Sequence, residues 1–326
     1  MGEFELIRRY FQRPTPRAAL GVGDDCALLQ ADAGHQIALS CDMLVVGRHF
    51  LPNVDPRTLG HKALAVNLSD LAACGARPRA FLLALALPQA DAAWLQAFSQ
   101  GLLALADAQG CELIGGDTTQ GPLNICITVL GDVPVLDGRS QALLRSGARA
   151  GDDIYVSGHL GDARLALEAL LGHIALPPAV LAQARQRLEA PTPRVALGMA
   201  LRGVASAAID TSDGLLGDLG HVLAASGVGA SIDTSCVQQL MACNTADLQG
   251  VLAPGVQLGY VLAGGDDYEL AFTAAPGARA AVQAAASASA TPVTRIGVVQ
   301  AEAGLRLVDA QGLPVANDYR SFDHFA

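Results

Sequence analysis

Apolar and polar positions in this chain follow two different periods, and the change from one period to the other marks the predicted strands and helices. In the first part of the chain the pattern predicts helices over 1–13, 56–75 and 90–109, and strands over 36–41, 79–87, 111–114 and 123–131. In the later part it predicts helices over 162–171, 178–189 and 213–226, and strands over 154–157, 207–210 and 258–263. Because strands and helices alternate in both parts, the sequence predicts two mixed α/β domains, of the α+β type.

A short segment from Arg145 to Gly151 separates the two parts. It reads Arg-Ser-Gly-Ala-Arg-Ala-Gly, and small, polar and glycine-rich residues are typical of a link between domains. We therefore predict an N-terminal domain at residues 1–145 and a C-terminal domain at residues 146–326. The length of 326 residues agrees with two domains of roughly 150 residues each.

Composition and charge exclude several classes of protein. Hydrophobic residues make up 51% of the chain and charged residues 16%, which excludes a disordered protein. With 21 Lys and Arg against 31 Asp and Glu, the formal charge is −10, so there is no basic surface for nucleic acid. Charges interrupt the N-terminus at once, and no apolar run reaches the roughly 20 residues that span a bilayer. We therefore expect a cytoplasmic protein that binds neither nucleic acid nor a membrane.

The cysteines support the same compartment. There are seven of them, an odd number, and none form a C-x-x-C pair. This pattern predicts reduced thiols in the core of a cytoplasmic protein, and it argues against a zinc site or a disulfide framework. The seven are Cys26, Cys41, Cys74, Cys111, Cys126, Cys236 and Cys243.

Aspartates gather beside glycine and serine at the predicted strand ends, where open α/β folds build ligand sites. They are Asp24, Asp25, Asp42, Asp117, Asp210, Asp213, Asp266 and Asp267. Any one of them also fits a turn or a helix N-cap. Carboxylates that share one place repel each other unless cations lie between them, and ligand sets made of oxygen suit Mg²⁺, Ca²⁺ or Mn²⁺. Since Mg²⁺ commonly binds together with substrate phosphates, the set predicts a polyphosphate site with several divalent ions.

Asp70 lies within the predicted helix 56–75, on a stripe with Val66 that is expected to face the core. A carboxylate in that position needs a partner or a metal ion. Two interpretations stay open. Nearby Asn67 and Ser69 favour metal ligation, and pairing with an arginine or another buried polar group is the alternative.

Lys62 is the single lysine among the basic residues, and it lies about two turns before Asp70. It is the one candidate for a lysine-centred phosphate site. Its position equally fits a side chain whose apolar stem lies along the surface or in an interface. We therefore leave it out of the predicted site.

Other nucleotide-binding signals are weak. The chain has no G-x-x-x-x-G-K-[ST] sequence and no protein-kinase H-R-D or D-F-G set. Gly158-His-Leu-Gly161 follows a predicted strand and opens a helix, but it lacks the first glycine of a dinucleotide fingerprint. We interpret it as a turn that is either close to a phosphate or structural.

Short motifs recur in a fixed order through the whole chain. They are Gly21-Val-Gly-Asp-Asp-Cys-Ala-Leu, Ser40-Cys-Asp-Met-Leu-Val-Val-Gly-Arg-His49-Phe, Lys62-Ala-Leu-Ala-Val-Asn-Leu-Ser-Asp70-Leu-Ala-Ala, Ile114-Gly-Gly-Asp-Thr-Thr, Leu144-Arg-Ser-Gly, Ile209-Asp-Thr-Ser-Asp-Gly-Leu, Gly264-Gly-Asp-Asp-Tyr-Glu-Leu and Phe322-Asp-His-Phe. In this order and spacing the chain resembles the thiamine-monophosphate kinase family.

The resemblance implies a fold shared with aminoimidazole ribonucleotide synthetase, with two α/β domains and a homodimer formed by the first. It implies ATP-dependent phosphorylation of thiamine monophosphate to thiamine diphosphate with several Mg²⁺ ions. By motif position, the magnesium ligands fall at Asp25, Ser40, Cys41, Asp42, Asp70, Asp117, Asp210 and Asp213. The ATP contacts fall at Gly116, Asp117, Arg145 and Ser212. The contacts to the thiamine substrate fall at His49, Asp266 and Tyr319, and no covalent nucleophile or general base is assigned.

Two positions depart from the family pattern. Cys41 stands where the family commonly has Thr, which is harmless if that position binds metal through its carbonyl and costs a ligand if it binds through the hydroxyl. Asp266 stands where Glu is usual, and the shorter side chain is expected to reach the substrate through water.

The acceptor in this reaction is a phosphate monoester with a charge of about −1.5 to −2 near neutral pH. It needs little help from a base, so catalysis is expected to come from positioning and charge neutralisation. We expect Arg145 to fork onto a phosphate.

Three relatives with the same fold are the nearest alternatives: aminoimidazole ribonucleotide synthetase, selenophosphate synthetase and a hydrogenase-maturation protein. The last would end in a cysteine, and the second would carry a lysine near its reactive cysteine, neither of which this sequence shows. A non-catalytic calcium-binding protein would carry a D-x-[DN]-x-[DN]-G loop, which is also absent from the sequence.

Overall fold

The computed structural model describes residues 2–23, 26–243, 248 and 250–322. Asp24 and Asp25 lie outside the described residues, as do the last residues of the closing motif after Phe322. The chain divides into two compact units. The N-terminal unit comprises Met1–Leu71 and Ala76–Gln141, and the C-terminal unit comprises Ala142–Ala326 together with Ala72–Gly75. The change of unit at Gln141 is close to Arg145, where the sequence analysis ends the first domain.

The first eight elements of the chain form helices and one sheet. They are α1 (Glu3–Tyr10), β1 (His35–Val45), α2 (Pro56–Ala73), β2 (Arg77–Leu87), α3 (Ala92–Gln109), β3 (Glu112–Gln120), β4 (Asn124–Leu136) and β5 (Arg139–Ser140). The strand order is β1-β4-β2-β3, and the short β5 pairs with β4. The β1–β4 and β2–β4 pairs are antiparallel and the β2–β3 pair is parallel.

The two faces of this sheet differ in burial. On the inner face, Leu83 and Ile127 are buried, and the register places Asp42 in the same row as these two residues. On the outer face, Leu39 is 65% exposed and Met43 52% exposed. Because side chains alternate along a strand, Ser40 and Asp42 share the inner face, while Cys41 shares the outer face with Leu39 and Met43.

Helices α2 and α3 lie in close contact at two glycines. A Cβ atom added to Gly60 would overlap the carbonyl oxygen of Phe98, and one added to Gly101 would overlap the carbonyl oxygen of Arg57. Local signals fix the ends of α3: the Asp91 carboxylate accepts hydrogen bonds from two main-chain N–H groups at the start, and Gly110 closes the end with a φ of 59°.

The later elements build a second, larger sheet. They are β6 (Asp153–Ser157), α4 (Asp162–Leu170), α5 (Pro178–Glu189), α6 (Val195–Ala200), β7 (Ala207–Thr211), α7 (Leu215–Ser226), β8 (Gly229–Asp233), α8 (Thr234–Val237), α9 (Pro254–Ala263), β9 (Glu269–Ala274), α10 (Arg279–Ala288), β10 (Val293–Gln300), β11 (Gly304–Val308) and β12 (Pro314–Val315). The strand order is β12-β11-β8-β10-β6-β9-β7. The core includes Ile154 and Val156 from β6 and Leu219 and Val222 from α7.

Residues 258–263 are helical, so the predicted strand there is wrong. They form the end of α9, which begins at Pro254. A short apolar run does not distinguish a strand from a buried helix by periodicity alone, and the proline at the first helical position is the signal that decides.

Asp42 and Asp117 lie inside strands, and the prediction that they follow strand ends is wrong. β1 continues past Asp42 to Val45, and β3 runs through Gly116 and Asp117. Gly116 lies within β3 and does not break it. A Cβ atom at this position would overlap the carbonyl oxygen of Leu83 on the paired strand, so only glycine fits here. This glycine permits close backbone approach within the sheet.

All seven cysteines are free thiols. Cys111 and Cys243 are buried, as predicted, but Cys26 and Cys41 are exposed, so the prediction of core thiols is wrong for these two. None of the helices in the described ranges is long and apolar enough to cross a membrane.

We predict that Gly101→Ala destabilises the N-terminal unit by about 1–3 kcal/mol, because the new methyl group overpacks the contact between α2 and α3. At an uncrowded helix position the same change stabilises by up to about 1 kcal/mol. The matched control is Gly220→Ala in α7, where a Cβ atom meets nothing within 4 Å. Urea unfolding followed by circular dichroism measures both, and equal stability of the two variants would contradict the prediction.

Candidate active site

An oxygen-rich cluster forms where β1 meets α2. The Ser40 hydroxyl donates a hydrogen bond of 2.5 Å to the Asp70 carboxylate, and the main-chain N–H of Asp42 donates one of 3.0 Å to the side chain of Asn67. Ser40 and Asp42 are two residues apart on one strand face, and Asn67 and Asp70 are three apart on one helix face. The two strand residues therefore contact the two helix residues directly, Ser40 with Asp70 and Asp42 with Asn67. Asp70 is half-buried and paired with Ser40, whereas the sequence analysis expected it to face the core.

The Cys41 thiol lies away from this cluster. Its sulfur is 3.4 Å from the sulfur of Cys126 and 3.4 Å from the hydroxyl of Thr128, both on β4. These contacts place the thiol on the outer face, opposite the side chains of Ser40 and Asp42. Burial and the neighbouring Cys41 together raise the pKa of Cys126 to about 11, so this thiol stays protonated at neutral pH.

Gly116 and Asp117 line a cavity of about 830 Å³ in the N-terminal unit. Its other walls are largely apolar and include Ile7 and Phe11 of α1 and Val22 of the following segment. Asp117 is exposed, and its register row runs through Ala84 and Cys126 to Met43, on the outer face. Within this unit the structure thus brings Ser40, Asn67 and Asp70 together and leaves Asp117 at a separate edge of the sheet.

His49 lies in the turn between β1 and α2, and the turn holds its ring. Its Nδ1 accepts a hydrogen bond of 3.0 Å from the main-chain N–H of Val45. The Lys62 ammonium donates one of 3.3 Å to the His49 carbonyl. Lys62 is only 3% exposed, so its interpretation as a surface residue is wrong. It positions the turn that carries His49.

In the C-terminal unit, Asp210 is the last residue but one of β7, which is followed by a turn that contains Ser212 and Asp213. One carboxylate oxygen of the buried Asp218 accepts hydrogen bonds of 3.0, 3.1 and 3.1 Å from the N–H groups of Ser212, Asp213 and Gly214. Burial and the nearby charge of Asp213 raise the pKa of Asp218 to about 6, against the lowering effect of these three hydrogen bonds. Sequence reasoning missed Asp218, although an aspartate one helical turn into α7 is a recognisable capping signal.

A second turn, at Asp266–Tyr268, is tied to the first. The N–H of Asp266 donates to the carbonyl of Ser212, and the N–H of Tyr268 donates to the carbonyl of Thr211, each at 2.8 Å. Asp266 and Tyr268 have φ values of 67° and 51°, in the left-handed region that non-glycine residues rarely adopt. The surrounding structure must therefore impose this conformation, which keeps Asp266 half-exposed beside Ser212.

Glu269 anchors that turn from inside the sheet. Its carboxylate is fully buried and accepts hydrogen bonds of 2.6 Å from Arg187, Arg194 and the hydroxyl of Ser157. An ion cluster of this kind loses much of its favourable energy if one charge is removed, because the remaining charges stay buried without partners.

Asp267 holds the Gly158–Gly161 loop by hydrogen bonding. Both oxygens of its fully buried carboxylate lie 3.0 Å from the main-chain nitrogen of Gly161, at the start of α4. Burial raises the pKa of Asp267 well above its usual value. A carboxylate of the protein therefore holds this loop, which favours the structural interpretation of the turn.

The two remaining predicted residues also lie in the C-terminal unit. The ring of Tyr319 is half-buried against α9, beside Gly259. Arg145 is exposed, and its neighbour Leu144 accepts a hydrogen bond of 2.9 Å from the N–H of Ala208, which places Arg145 beside β7. Among the described residues, no three His, Cys, Asp or Glu side chains are grouped to hold a metal ion.

Comparison with known proteins shows the family to which this chain is related. One family model, AIR synthase related protein, N-terminal domain, matches residues 23–133, and its C-terminal domain counterpart matches residues 149–310. A thiamine-monophosphate kinase of Salmonella typhimurium is 45% identical over 330 residues, which cover 100% of this chain and 98% of the relative. This chain belongs to the thiamine-monophosphate kinase family.

Solved structures of this family have the same fold. The crystal structure of thiamine-monophosphate kinase from Stenotrophomonas maltophilia K279a is 43% identical, with a TM-score of 0.83 and 96% of each chain covered. The structure of AaThiL complexed with AMPPCP and TMP is 28% identical, with a TM-score of 0.76 over 99% of this chain and 96% of that one. The predicted fold of two mixed α/β domains is confirmed.

We predict that Glu269→Gln lowers the free energy of unfolding of the C-terminal unit by about 3–5 kcal/mol, because Arg187 and Arg194 then keep their charges without a buried counter-ion. The control is Glu302→Gln, which removes an ion pair to Arg306 from a side chain that is 85% exposed. Its effect should stay below about 1 kcal/mol. Thermal unfolding of both variants measures the difference, and a stable Glu269→Gln protein would show that the cluster is dispensable.

Proposed function

We propose that this protein is a kinase that transfers the γ-phosphoryl group of ATP to thiamine monophosphate and forms thiamine diphosphate. The observation that carries the proposal is the likeness over the full chain to thiamine-monophosphate kinases, one of which is 45% identical. A second related protein, AaThiL, has been solved with AMPPCP and TMP bound. The transfer is direct, from one phosphate to another, and needs no covalent intermediate on the protein.

Magnesium is part of this proposal, and the donor atoms fit it. The cluster at β1 and α2 offers hydroxyl, carboxylate and amide oxygens, which are the hard ligands that Mg²⁺ prefers. The residues that would hold the ions are Asp25, Ser40, Cys41, Asp42, Asp70, Asp117, Asp210 and Asp213. Since the Cys41 thiol lies on the outer face, this residue would contribute its main-chain carbonyl. When bound, Mg²⁺ neutralises the phosphate charges that otherwise keep the two reactants apart.

Binding of the nucleotide is assigned to Gly116, Asp117, Arg145 and Ser212. The cavity beside Gly116 has largely apolar walls and a volume of about 830 Å³, within the range of pockets that bind small-molecule ligands. The exposed guanidinium of Arg145 offers two parallel N–H donors for a phosphate. The carboxylate of Asp218 fixes the main chain at Ser212, so this contact is oriented before the substrate binds.

Binding of the thiamine substrate is assigned to His49, Asp266 and Tyr319. The N–H of Val45 holds the ring of His49, Lys62 holds its main-chain carbonyl, and Asp266 lies in the left-handed turn at 266–268. Because Asp266 is one methylene shorter than the Glu usual in the family, we expect it to reach the substrate through a water molecule. Tyr319 offers an aromatic surface for stacking against a ring.

The decisive experiment measures release of ADP from ATP and Mg²⁺, with and without thiamine monophosphate. A kinase of this specificity releases ADP only when the acceptor is present and forms thiamine diphosphate in equal amount. Release of ADP that ignores the acceptor indicates another ATP enzyme with this fold, and the absence of release indicates a protein that only binds its ligands.

We predict that Asp70→Ala lowers kcat by about 100-fold or more at saturating Mg²⁺, because it removes a carboxylate assigned to holding the Mg²⁺ that would neutralise the phosphate charges. Asp137→Asn is the control, since Asp137 is exposed and its φ of 50° is well tolerated by asparagine. Circular dichroism should show that both variants are folded. Near-normal turnover of Asp70→Ala would remove this residue from the mechanism.

We also propose that the protein is a homodimer that works in the cytoplasm without nucleic acid or membrane partners. The seven free thiols fit a reducing compartment. The outer face of the N-terminal sheet presents exposed apolar side chains from β1 and β2, including Leu39, Met43 and Leu82. A second copy that packs on this face would cover them, as the resemblance to dimeric relatives implies.

We predict that the double variant Leu39→Glu/Met43→Glu is monomeric, because two charges then lie on the proposed contact face. Leu313→Glu is the control, since Leu313 is 61% exposed in the C-terminal unit and lies outside this face. Analytical ultracentrifugation of the two variants and the unchanged protein measures the mass in solution. A dimeric double variant would place the interface elsewhere.

A further inference from the structure

The last described residues of the chain dock against the first turn of α7. The hydroxyl of Ser321 accepts a hydrogen bond of 2.9 Å from the N–H of Gly217 and donates one of 3.4 Å to the carbonyl of Gly214. The N–H of Phe322 donates one of 3.0 Å to the carbonyl of Asp213. Three hydrogen bonds thus attach this segment, one to α7 and two to the turn that carries Ser212 and Asp213.

Gly217 is the residue that makes room for this segment. A Cβ atom at Gly217 would lie 2.7 Å from the Cβ and 2.8 Å from the hydroxyl oxygen of Ser321, closer than such atoms approach in folded proteins. Gly217 lies inside α7, where alanine is ordinarily the better residue. Packing therefore explains the glycine, because it leaves the space that Ser321 occupies.

The same segment carries Tyr319, two residues before Ser321. The Tyr319 ring packs beside Gly259 in α9, where a Cβ atom would be 3.4 Å from the ring, an ordinary contact. Helix α9 ends at Ala263 and leads through two glycines into Asp266. Docking at Gly217 and packing at Gly259 hold the Tyr319 ring beside the element that leads to Asp266.

The turn at 212–214 does not depend on this segment alone. The Asp218 carboxylate holds all three of its N–H groups, whereas the segment contacts its carbonyls. Loss of the segment should therefore leave Ser212 in place and free Tyr319. The Asp218 carboxylate therefore supports a nucleotide contact, and the C-terminal segment supports a contact to the thiamine substrate.

We propose that Gly217 and Ser321 are positioning residues that lock the C-terminal segment onto α7 and thereby hold Tyr319 at the site of the thiamine substrate. The inference rests on the proposed function. Docking of the C-terminal segment on α7 then affects binding of thiamine monophosphate and leaves the nucleotide contacts unchanged.

The test compares Gly217→Ala with Gly220→Ala. The second glycine lies three residues further along the same helix, and a Cβ atom there meets nothing within 4 Å. We expect Gly217→Ala to raise the KM for thiamine monophosphate by about ten-fold, as for the loss of one anchoring contact, and to leave the KM for ATP within about two-fold. Gly220→Ala should leave both constants unchanged.

A compensating variant separates the lock from general damage to α7. Gly217→Ala/Ser321→Gly removes the overlapping side chain and keeps the main-chain hydrogen bond from Phe322 to Asp213. We expect it to recover part of the affinity for thiamine monophosphate that Gly217→Ala loses, because the overlap is removed while the two hydrogen bonds of the Ser321 hydroxyl stay lost. Failure to recover, or an equal rise in both KM values, would overturn the proposal.

Docking itself is measured without any activity. Trypsin cleaves after Arg320, and mass spectrometry detects the released peptide that begins at Ser321. Release should be faster in Gly217→Ala than in the unchanged protein or in Gly220→Ala. Faster release with an unchanged KM for thiamine monophosphate would overturn the assigned role. If the unchanged protein does not phosphorylate thiamine monophosphate, the proposed function fails and the assigned role with it, while the rates of release still report whether the segment docks at Gly217.

Discussion

Buried carboxylates that accept hydrogen bonds hold two turns of the C-terminal unit that carry predicted site residues. Asp218 gathers three N–H groups at 212–214, and Glu269 lies between Arg187 and Arg194 directly after the 266–268 turn. A buried charge without such partners is expensive, so each carboxylate strongly favours the one backbone arrangement that satisfies it. Asp266 has its left-handed conformation in the turn that directly precedes Glu269.

The acidic residues therefore fall into two groups with different roles. Asp218, Asp267 and Glu269 have their oxygens occupied by the protein's own donors and shape the backbone. Asp42 and Asp70 lie near a hydroxyl and an amide, and together these groups offer the oxygens that a hard cation takes. The Gly264–Leu270 motif contains both kinds, since its Asp266 is half-exposed and its Asp267 and Glu269 are buried.

In the N-terminal unit, the alternation of side chains along β1 separates two functions. Ser40 and Asp42 turn toward α2 and belong to the proposed cation site. Cys41 and Met43, from the same few residues, turn toward the open face that we propose as the dimer contact. A shift of β1 by one residue would exchange the two sets, so the pairing of β1 with β4 is important to both.

The sequence by itself determined the kind of fold, most of the long helices and the family, because these depend on local periodicity and on motifs read in order along the chain. Asp55, Asp91 and Gly110 mark helix ends by short-range hydrogen bonding and backbone preference, which act within a few residues. Only the tertiary structure decided that Lys62 is buried, that the Cys41 thiol faces away from Asp70 and that Asp267 closes the Gly158–Gly161 loop. Each of these depends on contacts between residues far apart in sequence, for which a local pattern carries no signal. The strand wrongly predicted at 258–263 has the same origin, since a short apolar run becomes helix or strand according to what packs around it.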